Sequence, residues 1–271
     1  MGDSRAEIFH TLHAGPQILV LPNAWDAASA ALMEDAGAKA VATSSAAVAW
    51  AHGYPDGDAL PVEKLLATIS EISQAISVPL TADIEGGYSD DLEVLGRTIT
   101  GVIEAGAVGV NLEDGRRDPD LHARKLEAAR RAADRAGVRL FINARTDVFL
   151  KQLLEGEAAL AETLRRAELY RGAGADGIFV PFANDPKLIS VLTGAIALPL
   201  NIMGWAAVPK AAELQALGVR RLSSGGGLFR ATFAGAIRLI EDFLRDGDSS
   251  ALTAEGEGLA NLNARFAARK P

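Results

Sequence analysis

The sequence predicts an α/β protein, and specifically a (β/α)8 TIM-type barrel, on three observations. Eight short apolar runs recur along the 271 residues, and each is followed by an amphipathic stretch of helical periodicity. The runs are apolar throughout, which is typical of parallel strands buried on both faces. Many helical stretches end in glycine just before the next run, as a helix C-terminus that leads into a strand. A doubly wound open sheet is the alternative that this pattern allows.

The eight predicted strands share one domain. They begin near Ile18, Ala40, Pro79, Gly109, Leu140, Gly177, Leu198 and Val219. A hydrophobic content of 49% supports one large core in a chain of this length. We assign residues 1–245 to the barrel and residues 246–271 to a C-terminal helical extension of the same domain. In the extension, DGDSSALTAEGEG predicts a loop and LANLNARFAARK predicts a final helix.

Composition and charge narrow the classes of partner. The net charge of -8 argues against nucleic acid and anionic membranes, because both attract basic surfaces. The absence of cysteine excludes disulfides, thiolate metal sites and thiol catalysis, and it fits a cytoplasmic protein. The N-terminal segment carries acids and no long apolar run, so we expect neither a signal peptide nor a membrane span.

Polar residues follow the predicted strands at the end where barrels of this kind carry their chemistry. Asp83 and Glu85 follow the third strand, Glu113 follows the fourth and Arg145 ends the fifth. Acids gathered at this end of the barrel, which we call the mouth, would raise one another's pKa values unless a cation lay among them. Carboxylate oxygens suit Mg²⁺ or Mn²⁺, which keep several waters and take only one or two protein carboxylates. The pattern therefore predicts a metal site.

Several of these residues have a structural alternative. Asp26 and Asp114 fit caps of the following helices equally well. Arg145 either grips a carboxylate in a bidentate manner or is the buried partner of Asp147 or Glu113. The run SSGGGLFR after the eighth strand either holds a phosphate or makes a tight turn into a helix.

Three weaker features of the sequence indicate an anion-binding loop and argue against two other kinds of active site. Ser44 and Ser45 begin a loop whose backbone amides can bind an anion. No lysine ends a predicted strand, which argues against Schiff-base chemistry. Only His52 of the four histidines is near the mouth, which argues against a histidine-rich zinc site.

Taken together, these segments resemble the isocitrate lyase/phosphoenolpyruvate mutase superfamily. The resemblance runs from LPNAWDAASA to RRLSSGGGLFRAT, and its most specific pieces are TSSAAVAWAHGYPDGD, LTADIEGGY, VNLEDG and INARTD in that order. It implies a (β/α)8 barrel whose last helix is swapped between the subunits of a homodimer or homotetramer. It also implies a small keto acid or dicarboxylate as substrate, and a C–C or C–P bond that breaks or forms through an enolate.

The resemblance implies Mg²⁺ as the cofactor, with Mn²⁺ as the alternative. By position, Asp83 matches the main metal carboxylate. Glu85 and Glu113 match acids that reach the metal largely through waters, and Asp56 matches an aspartate near the metal.

The resemblance also assigns the substrate contacts. Arg145 matches the clamp on the substrate carboxylate, and the amides of Ser44 and Ser45 match the loop that holds the same group. We take Arg145, Glu113 and Asp56 as the catalytic set, and we add Asn201 to the substrate-binding set.

The chain departs from two branches of the superfamily. The isocitrate lyase loop KKCGH, with its catalytic cysteine, is replaced by DGRRDPDLH. The EDK gating loop of the mutases and phosphonopyruvate hydrolases gives way to Gly115, Arg116 and Arg117, and the mutase histidine is absent from VPFANDP. The resemblance therefore favours the branch of oxaloacetate decarboxylases and of methylisocitrate- or dimethylmalate-type lyases.

The leading hypothesis is a Mg²⁺-dependent lyase. It would cleave a C–C bond of a small 2-keto or 2-hydroxy carboxylate, of the oxaloacetate, methylisocitrate or dimethylmalate type, through a pyruvate-like enolate. A metal-bound water, Tyr54 or Glu113 is the candidate proton donor or acceptor. The alternatives are phosphonopyruvate hydrolase or phosphoenolpyruvate mutase chemistry, and a keto-acid-binding protein with little turnover.

Overall fold

Nine parallel strands form a nearly closed barrel in a computed structural model, which describes residues 2–268 and the side chains from Ser4 on. The strands are β1 (Leu19–Leu21), β2 (Asn23–Ala24), β3 (Val41–Thr43), β4 (Leu80–Asp83), β5 (Gly109–Glu113), β6 (Phe141–Arg145), β7 (Gly177–Phe179), β8 (Leu200–Met203) and β9 (Arg221–Ser223). Their order around the sheet is β1-β9-β8-β7-β6-β5-β4-β3-β2.

Pro22 separates β1, which is the first predicted strand, from β2, a second short half that the sequence did not predict. The β1 half pairs with β9 and the β2 half pairs with β3. Proline has no N–H, so the hydrogen-bond ladder cannot run through it. Because the two halves are consecutive in the chain, the sheet order returns to its start and closes the ring. The barrel prediction is confirmed, and the doubly wound alternative, whose sheet would have two open edges, is wrong.

Helices lie between the strands as predicted. They are α1 (Gly2–Ala14), α2 (Ala27–Asp35), α3 (Ser45–Ala51), α4 (Val62–Ala75), α5 (Leu92–Glu104), α6 (Pro119–Ala136), α7 (Gly156–Gly172), α8 (Pro186–Ala195), α9 (Ala211–Ala216), α10 (Gly227–Asp246), α11 (Ser250–Gly256) and α12 (Leu262–Ala267). The predicted glycine signal is clearest at Gly137, which ends α6 in the left-handed conformation with φ 65°.

Apolar packing occupies the outer wall and the amino-terminal end of the barrel. Ile69, Leu95 and Leu126 are buried where helices meet strands. At the amino-terminal end, α1 closes the barrel by placing Phe9 edge-on against Phe141, with 5.5 Å between ring centroids. Polar side chains therefore gather inside the barrel and at its carboxyl end. Within residues 2–268 no helix is long and apolar enough to cross a membrane.

The barrel interior contains a row of amides rather than aliphatic side chains. Asn143 Nδ2 donates to Asn111 Oδ1 at 2.9 Å and to Asn201 Oδ1 at 3.0 Å. Arg221 reaches across from β9 and donates to Asn111 Oδ1 at 3.1 Å. Gly177 leaves room for this row, because a Cβ there would lie 3.0 Å from Asn143 Oδ1.

The C-terminal extension is more helical than the sequence indicated. The predicted loop contains α11, because SALTAEG joins a serine start to residues that favour helix. The predicted final helix, residues 259–270, is confirmed over Leu262–Ala267 as α12, begins three residues later than predicted, and runs at its end into residues 269 and 270, which lie outside the described residues. Arg265 ties α12 to α2 through ion pairs with Glu34 at 2.6 Å and Asp35 at 2.9 Å.

Helix α10 is the eighth helix of the barrel, yet none of its residues is buried. Beside the start of α10, a cavity of about 880 Å³ lies over β1 and α2. Its lining is largely apolar and includes Leu32, Met33, Leu222 and Leu228. Both the lining of this cavity and the exposed residues of α10 are largely apolar, so the two surfaces could pack together. Exchange of α10 between subunits stays a prediction.

Candidate active site

The structure brings the predicted acids and the predicted arginine to adjacent strand ends. Asp83 ends β4, Glu113 ends β5 and Arg145 ends β6. In the sheet register, Glu113 lies opposite Arg145, and Asp83 lies opposite Asn111. Asp83 is 8% exposed, so its carboxylate is almost entirely enclosed by the mouth.

Arg145 is held between two acids. Its Nη1 lies 2.6 Å from Glu113 Oε2, and its Nε and Nη2 donate to the two oxygens of Asp147 at 2.7 and 3.1 Å. The guanidinium also lies 5.7 Å from the centre of the Phe179 ring. Burial alone would lower the pKa of Arg145, but the charges of Glu113, Asp147 and Asp83 together raise it, so the side chain stays cationic.

The three acids predicted to serve the metal all bind protons more tightly than usual. Burial raises the pKa of Glu113 to about 8, against the opposing effect of Arg145. Burial likewise raises the pKa of Glu85 to about 7 and that of Asp83 above its usual range. Asp56 is exposed, yet its negative charge adds to the raised pKa values of all three acids.

Glu85 is locked to the loop that follows α3. Its Oε2 accepts hydrogen bonds from the amides of Gly57, at 2.7 Å, and Asp58. The Asp58 carboxylate accepts in return from the amides of Gly86, at 3.1 Å, and Tyr88, at 3.2 Å. The Tyr88 hydroxyl donates to Glu85 Oε1 at 3.1 Å. Tyr88 was not foreseen, although its place three residues after Glu85 was a usable signal.

The predicted anion loop is the start of α3. Ser44 caps this helix, and its own amide donates to Ala24 O at 3.1 Å. The Ser44 hydroxyl accepts from Ala47 N at 3.4 Å. A helix start leaves its first amides without helical partners, so the amides of Ser45 and Ala46 are those suited to an anion.

Four other candidates have structural roles. Asp26 caps α2, as its alternative predicted. Asp114 does not cap α6, because Asp118 does. His52 hydrogen-bonds Thr68 at 2.9 Å, and Tyr54 packs against the core under Lys64.

Asn201 and the SSGGG run, the remaining two predicted substrate contacts, are bonded to other protein groups. Asn201 is in the interior amide row, where its Nδ2 donates to Ile202 O at 2.8 Å and to Ser223 Oγ at 3.1 Å. The SSGGG run is a turn, because Gly225 N donates to Asn23 Oδ1 at 2.9 Å and Ser224 hydrogen-bonds the same asparagine. This geometry favours the turn over a phosphate loop.

The donor set fits a hydrated divalent cation better than a fully protein-bound one. Among the described residues, no three Asp, Glu or His side chains converge as a ready-made set of metal ligands. Mg²⁺ needs only one or two carboxylates and keeps its remaining waters. Asp83 supplies one buried carboxylate, and Glu85, Glu113 and Asp56 are the acids whose charges interact with it. Burial is the main cause of the raised pKa values of these acids, and the charges of neighbouring acids add to it.

The chain is similar to proteins of one family over almost its full length. A family model described as phosphoenolpyruvate phosphomutase matches residues 9–244. A candidate phosphonomutase of Burkholderia cenocepacia J2315 is 44% identical with a TM-score of 0.85, covering 88% of this chain and 100% of that one. An uncharacterized protein of Mycobacterium tuberculosis H37Rv is 34% identical over 243 residues, 86% of this chain and 89% of that protein.

A solved lyase places the family in its superfamily. The crystal structure of 2,3-dimethylmalate lyase, described as a phosphoenolpyruvate mutase/isocitrate lyase superfamily member, is 25% identical with a TM-score of 0.81. The match covers 91% of this chain and 89% of that one. Proteins of this superfamily are lyases and mutases, and the resemblance seen in the motifs is confirmed. The chain is an enzyme of the phosphoenolpyruvate phosphomutase family, within the isocitrate lyase/phosphoenolpyruvate mutase superfamily.

Proposed function

We propose that this enzyme is a Mg²⁺-dependent lyase that cleaves a C–C bond of a small 2-keto or 2-hydroxy carboxylate. One observation carries the proposal. Asp83, Glu113 and Arg145 end three adjacent strands, so a buried cation fit for a carboxylate lies beside acids fit for a metal. Oxaloacetate, methylisocitrate and dimethylmalate are the substrate types that the resemblance favours, and the cytoplasm is the proposed location.

The substrate carboxylate would lie between Arg145 and the start of α3. Every guanidinium nitrogen of Arg145 bonds Glu113 or Asp147, which fixes the plane of the group, and the second N–H of Nη1 and of Nη2 would remain for the substrate. The amides of Ser45 and Ala46 would bind the same carboxylate from the opposite side. We retain Ser44 as the cap that starts this helix, and we assign Asn201 to support of the strands rather than to direct contact.

Asp83 would be the direct metal ligand, and Glu85, Glu113 and Asp56 would hold its waters. A phosphonopyruvate hydrolase of the same fold has been crystallised with oxalate and Mg²⁺, which supports this proposal. Mn²⁺ would suit the same oxygen donors. When bound, the cation would stabilise the negative charge that develops on the α-oxygen of the substrate.

The protein groups would handle the carboxylate and the proton. For a 2-keto acid such as oxaloacetate, the C3–C4 bond breaks, CO₂ leaves, and its electron pair forms the enolate of pyruvate. A proton delivered to C3 then gives pyruvate. Glu113 is suited to hold that proton, since burial raises its pKa to about 8. In a 2-hydroxy acid, the same carboxylate in its ionised form would take the hydroxyl proton as the bond between C2 and C3 breaks. C2 then becomes the keto carbon of one product. The electron pair goes to C3, where the attached carboxylate delocalises it, and a proton returned to C3 completes the second product.

A phosphonate reaction is the second candidate, favoured by the 44% identity to a candidate phosphonomutase. The loop after β5 argues against it, because Gly115, Arg116 and Arg117 replace the gating residues of the mutases. Binding of a keto acid with little turnover is the third candidate.

The first experiment measures pyruvate, CO₂ and phosphate from a panel of substrates with Mg²⁺ and with EDTA. The panel is oxaloacetate, 2-methylisocitrate, dimethylmalate and phosphonopyruvate. Metal-dependent pyruvate from any of the first three, above the rate with metal alone, supports the lyase. Phosphate from phosphonopyruvate would instead establish the second candidate. Oxalate binding without turnover of any compound would establish the third.

Two matched variants connect the activity to the site. Asp83→Asn should lower kcat/KM by at least about 100-fold, about 2.7 kcal/mol of transition-state stabilisation. Asp26→Asn is the control, because Asp26 caps α2 and asparagine also caps helices well. Equal activity in both variants would contradict the proposed role of Asp83.

A further inference from the structure

Behind Arg145 lies a buried carboxylate that the proposed reaction does not use. Asp114 is 0% exposed, and its Oδ2 accepts from Arg166 Nη1 at 2.8 Å and from the Tyr170 hydroxyl at 2.7 Å. Its Oδ1 accepts from the backbone amide of Asp147 at 2.8 Å. Both oxygens of Asp114 are therefore committed to protein donors, and neither is available to a ligand.

The donors to Asp114 come from a distant part of the chain. Arg166 and Tyr170 lie one turn apart on α7, and both are buried. Enclosing an ion pair in this way is costly unless the remaining donors and acceptors are also paired. Here the Arg166 Nε donates to Glu162 Oε1 at 2.7 Å, so the guanidinium is held from two sides. The arrangement gives Asp114 a fixed position relative to α7.

Asp114 in turn fixes the backbone segment that carries Arg145, the proposed clamp on the substrate carboxylate. Its backbone amide donates to Arg145 O at 3.1 Å, and its side chain accepts from Asp147 N. The segment from Arg145 to Asp147 is therefore bonded to Asp114 at both ends. Asp147 is fully buried and holds two nitrogens of the Arg145 guanidinium. Any movement of the Asp147 backbone would change the direction in which the Arg145 guanidinium points.

We propose that Asp114, Arg166 and Tyr170 are positioning residues, which hold Asp147 so that Arg145 is aimed at the substrate carboxylate. The inference rests on the proposed function, in which Arg145 binds that carboxylate. The network bonds to the backbone segment that carries Arg145 and to none of its guanidinium nitrogens, which Glu113 and Asp147 hold. Its role is to order the guanidinium before substrate arrives, because a displacement of order 1 Å at such a group can cost up to about 100-fold in rate.

The chain offers a matched pair of variants for the test. Arg165 and Arg166 are neighbours on α7, and each pairs with Glu162 at 2.7 Å. Only Arg166 also reaches Asp114. Arg166→Met and Arg165→Met therefore each remove one ion pair to Glu162, but only the first disturbs the network behind Arg145.

The measurement is the Kd of oxalate, a small dicarboxylate, for each folded variant with Mg²⁺ present, by titration calorimetry. Arg166→Met should raise this Kd by about 10-fold, Arg166→Lys should recover part of the loss, and Arg165→Met should match the wild type. Thermal unfolding is recorded for the same samples. A loss of stability in Arg166→Met without a change in the Kd would mean a purely structural role and would overturn the inference.

Tyr170→Phe covers the case in which Arg166→Met does not fold. It removes one hydroxyl and keeps the ring, so it should fold and raise the Kd by a smaller factor, about 3-fold, since it leaves Asp114 one donor short. An unchanged Kd in this variant also overturns the inference. If the wild type itself binds no oxalate, the proposed carboxylate site is wrong, a result distinct from equal binding by wild type and variants.

Discussion

At the scale of single residues, the site depends on one cation among several acids. Arg145 contacts Glu113 and Asp147 directly, and its charge also acts on Asp83. A guanidinium in this setting is hard to replace, because lysine has neither the planar fork nor its several donors. The proposed clamp and the proposed metal ligand are therefore coupled through one side chain.

Replacing this arginine should impair every substrate. We expect Arg145→Ala to raise KM and lower kcat, with a fall in kcat/KM of at least about 100-fold, because the carboxylate loses its partner and two acids lose theirs. Steady-state kinetics on the active compounds of the panel checks this. Arg97→Ala, on the outer surface at α5, is the control and should stay near wild type. An unchanged kcat/KM in Arg145→Ala would remove Arg145 from the mechanism.

The raised pKa values of Glu85 and Glu113 predict how stability changes with pH in the metal-free enzyme. Their folded-state pKa values are about 7 and about 8, above the ordinary 4.5, so the folded state holds protons that the unfolded state releases. The free energy of unfolding should therefore fall as pH rises from about 4.5 to about 8. Each group contributes up to about 1.4 kcal/mol per pH unit within its own window.

Thermal unfolding with EDTA or with Mg²⁺ between pH 5 and pH 8.5 tests this dependence. Metal binding needs ionised carboxylates, so Mg²⁺ should raise the Tm more at pH 8 than at pH 5. Glu113→Gln should flatten the pH dependence of the metal-free enzyme. A slope identical to that of the wild type would show that Glu113 titrates normally.

At the scale of elements, three loops at the mouth are joined by Arg117. This residue, in the loop after β5, pairs with Asp58 and with Asp90, each at 2.8 Å. Lys125 on α6 holds Asp90 as well, at 2.7 Å. Gly86 allows the close approach, because a Cβ there would lie 2.6 Å from the Arg117 Cζ. The loops after α3, β4 and β5 therefore form one connected rim.

Loss of this connection should loosen the rim. We expect Arg117→Ala to raise KM about 5-fold, corresponding to about 1 kcal/mol, since the ion pairs are partly exposed. Hydrogen exchange should become faster in residues 56–58 and 86–91. Arg116→Ala is the control, because its contact is a longer one, at 3.3 Å, to Lys151 O. Equal exchange in both variants would show that Arg117 does not hold the rim.

At the scale of the whole molecule, α10 is an amphipathic helix whose start packs on the barrel, where Phe229 lies against Trp25, and whose later turns leave an apolar stripe exposed. Phe233, Ile237, Ile240 and Leu244 follow one another at spacings of three or four and are all exposed. Such a stripe normally packs against another surface. The apolar cavity over α2 has the character to receive it, and the second copy of the chain is the proposed source.

A charge in this stripe should therefore break an oligomer. Ile240→Asp should convert the proposed homodimer or homotetramer toward monomer in light scattering, and the Tm should fall. The substitution costs little within an isolated exposed helix, so a change of mass would report an interface. Asp242→Lys, on the opposite face of α10, is the control and should leave the mass unchanged. A monomeric wild type would contradict the predicted exchange.

Local patterns in the sequence were sufficient to predict the architecture and to predict which residues of adjacent strands lie together in the site. Apolar runs and glycine stops predicted the barrel, because strand and helix periodicity are properties of short segments. Consecutive parallel strands lie side by side, so residues at their ends had to meet. Asp83, Glu113 and Arg145 could therefore be predicted as one cluster before any coordinates.

Only the tertiary structure decided which partner each buried polar group takes. Asp114 pairs with residues 52 and 56 positions away on α7, and Asn201 turns into the amide row instead of the mouth. Glu85 is engaged by amides of a loop 27 and 28 residues before it. The reason is physical. Periodicity shows which face of an element is buried, but the partner of a buried polar group depends on how distant elements pack around it.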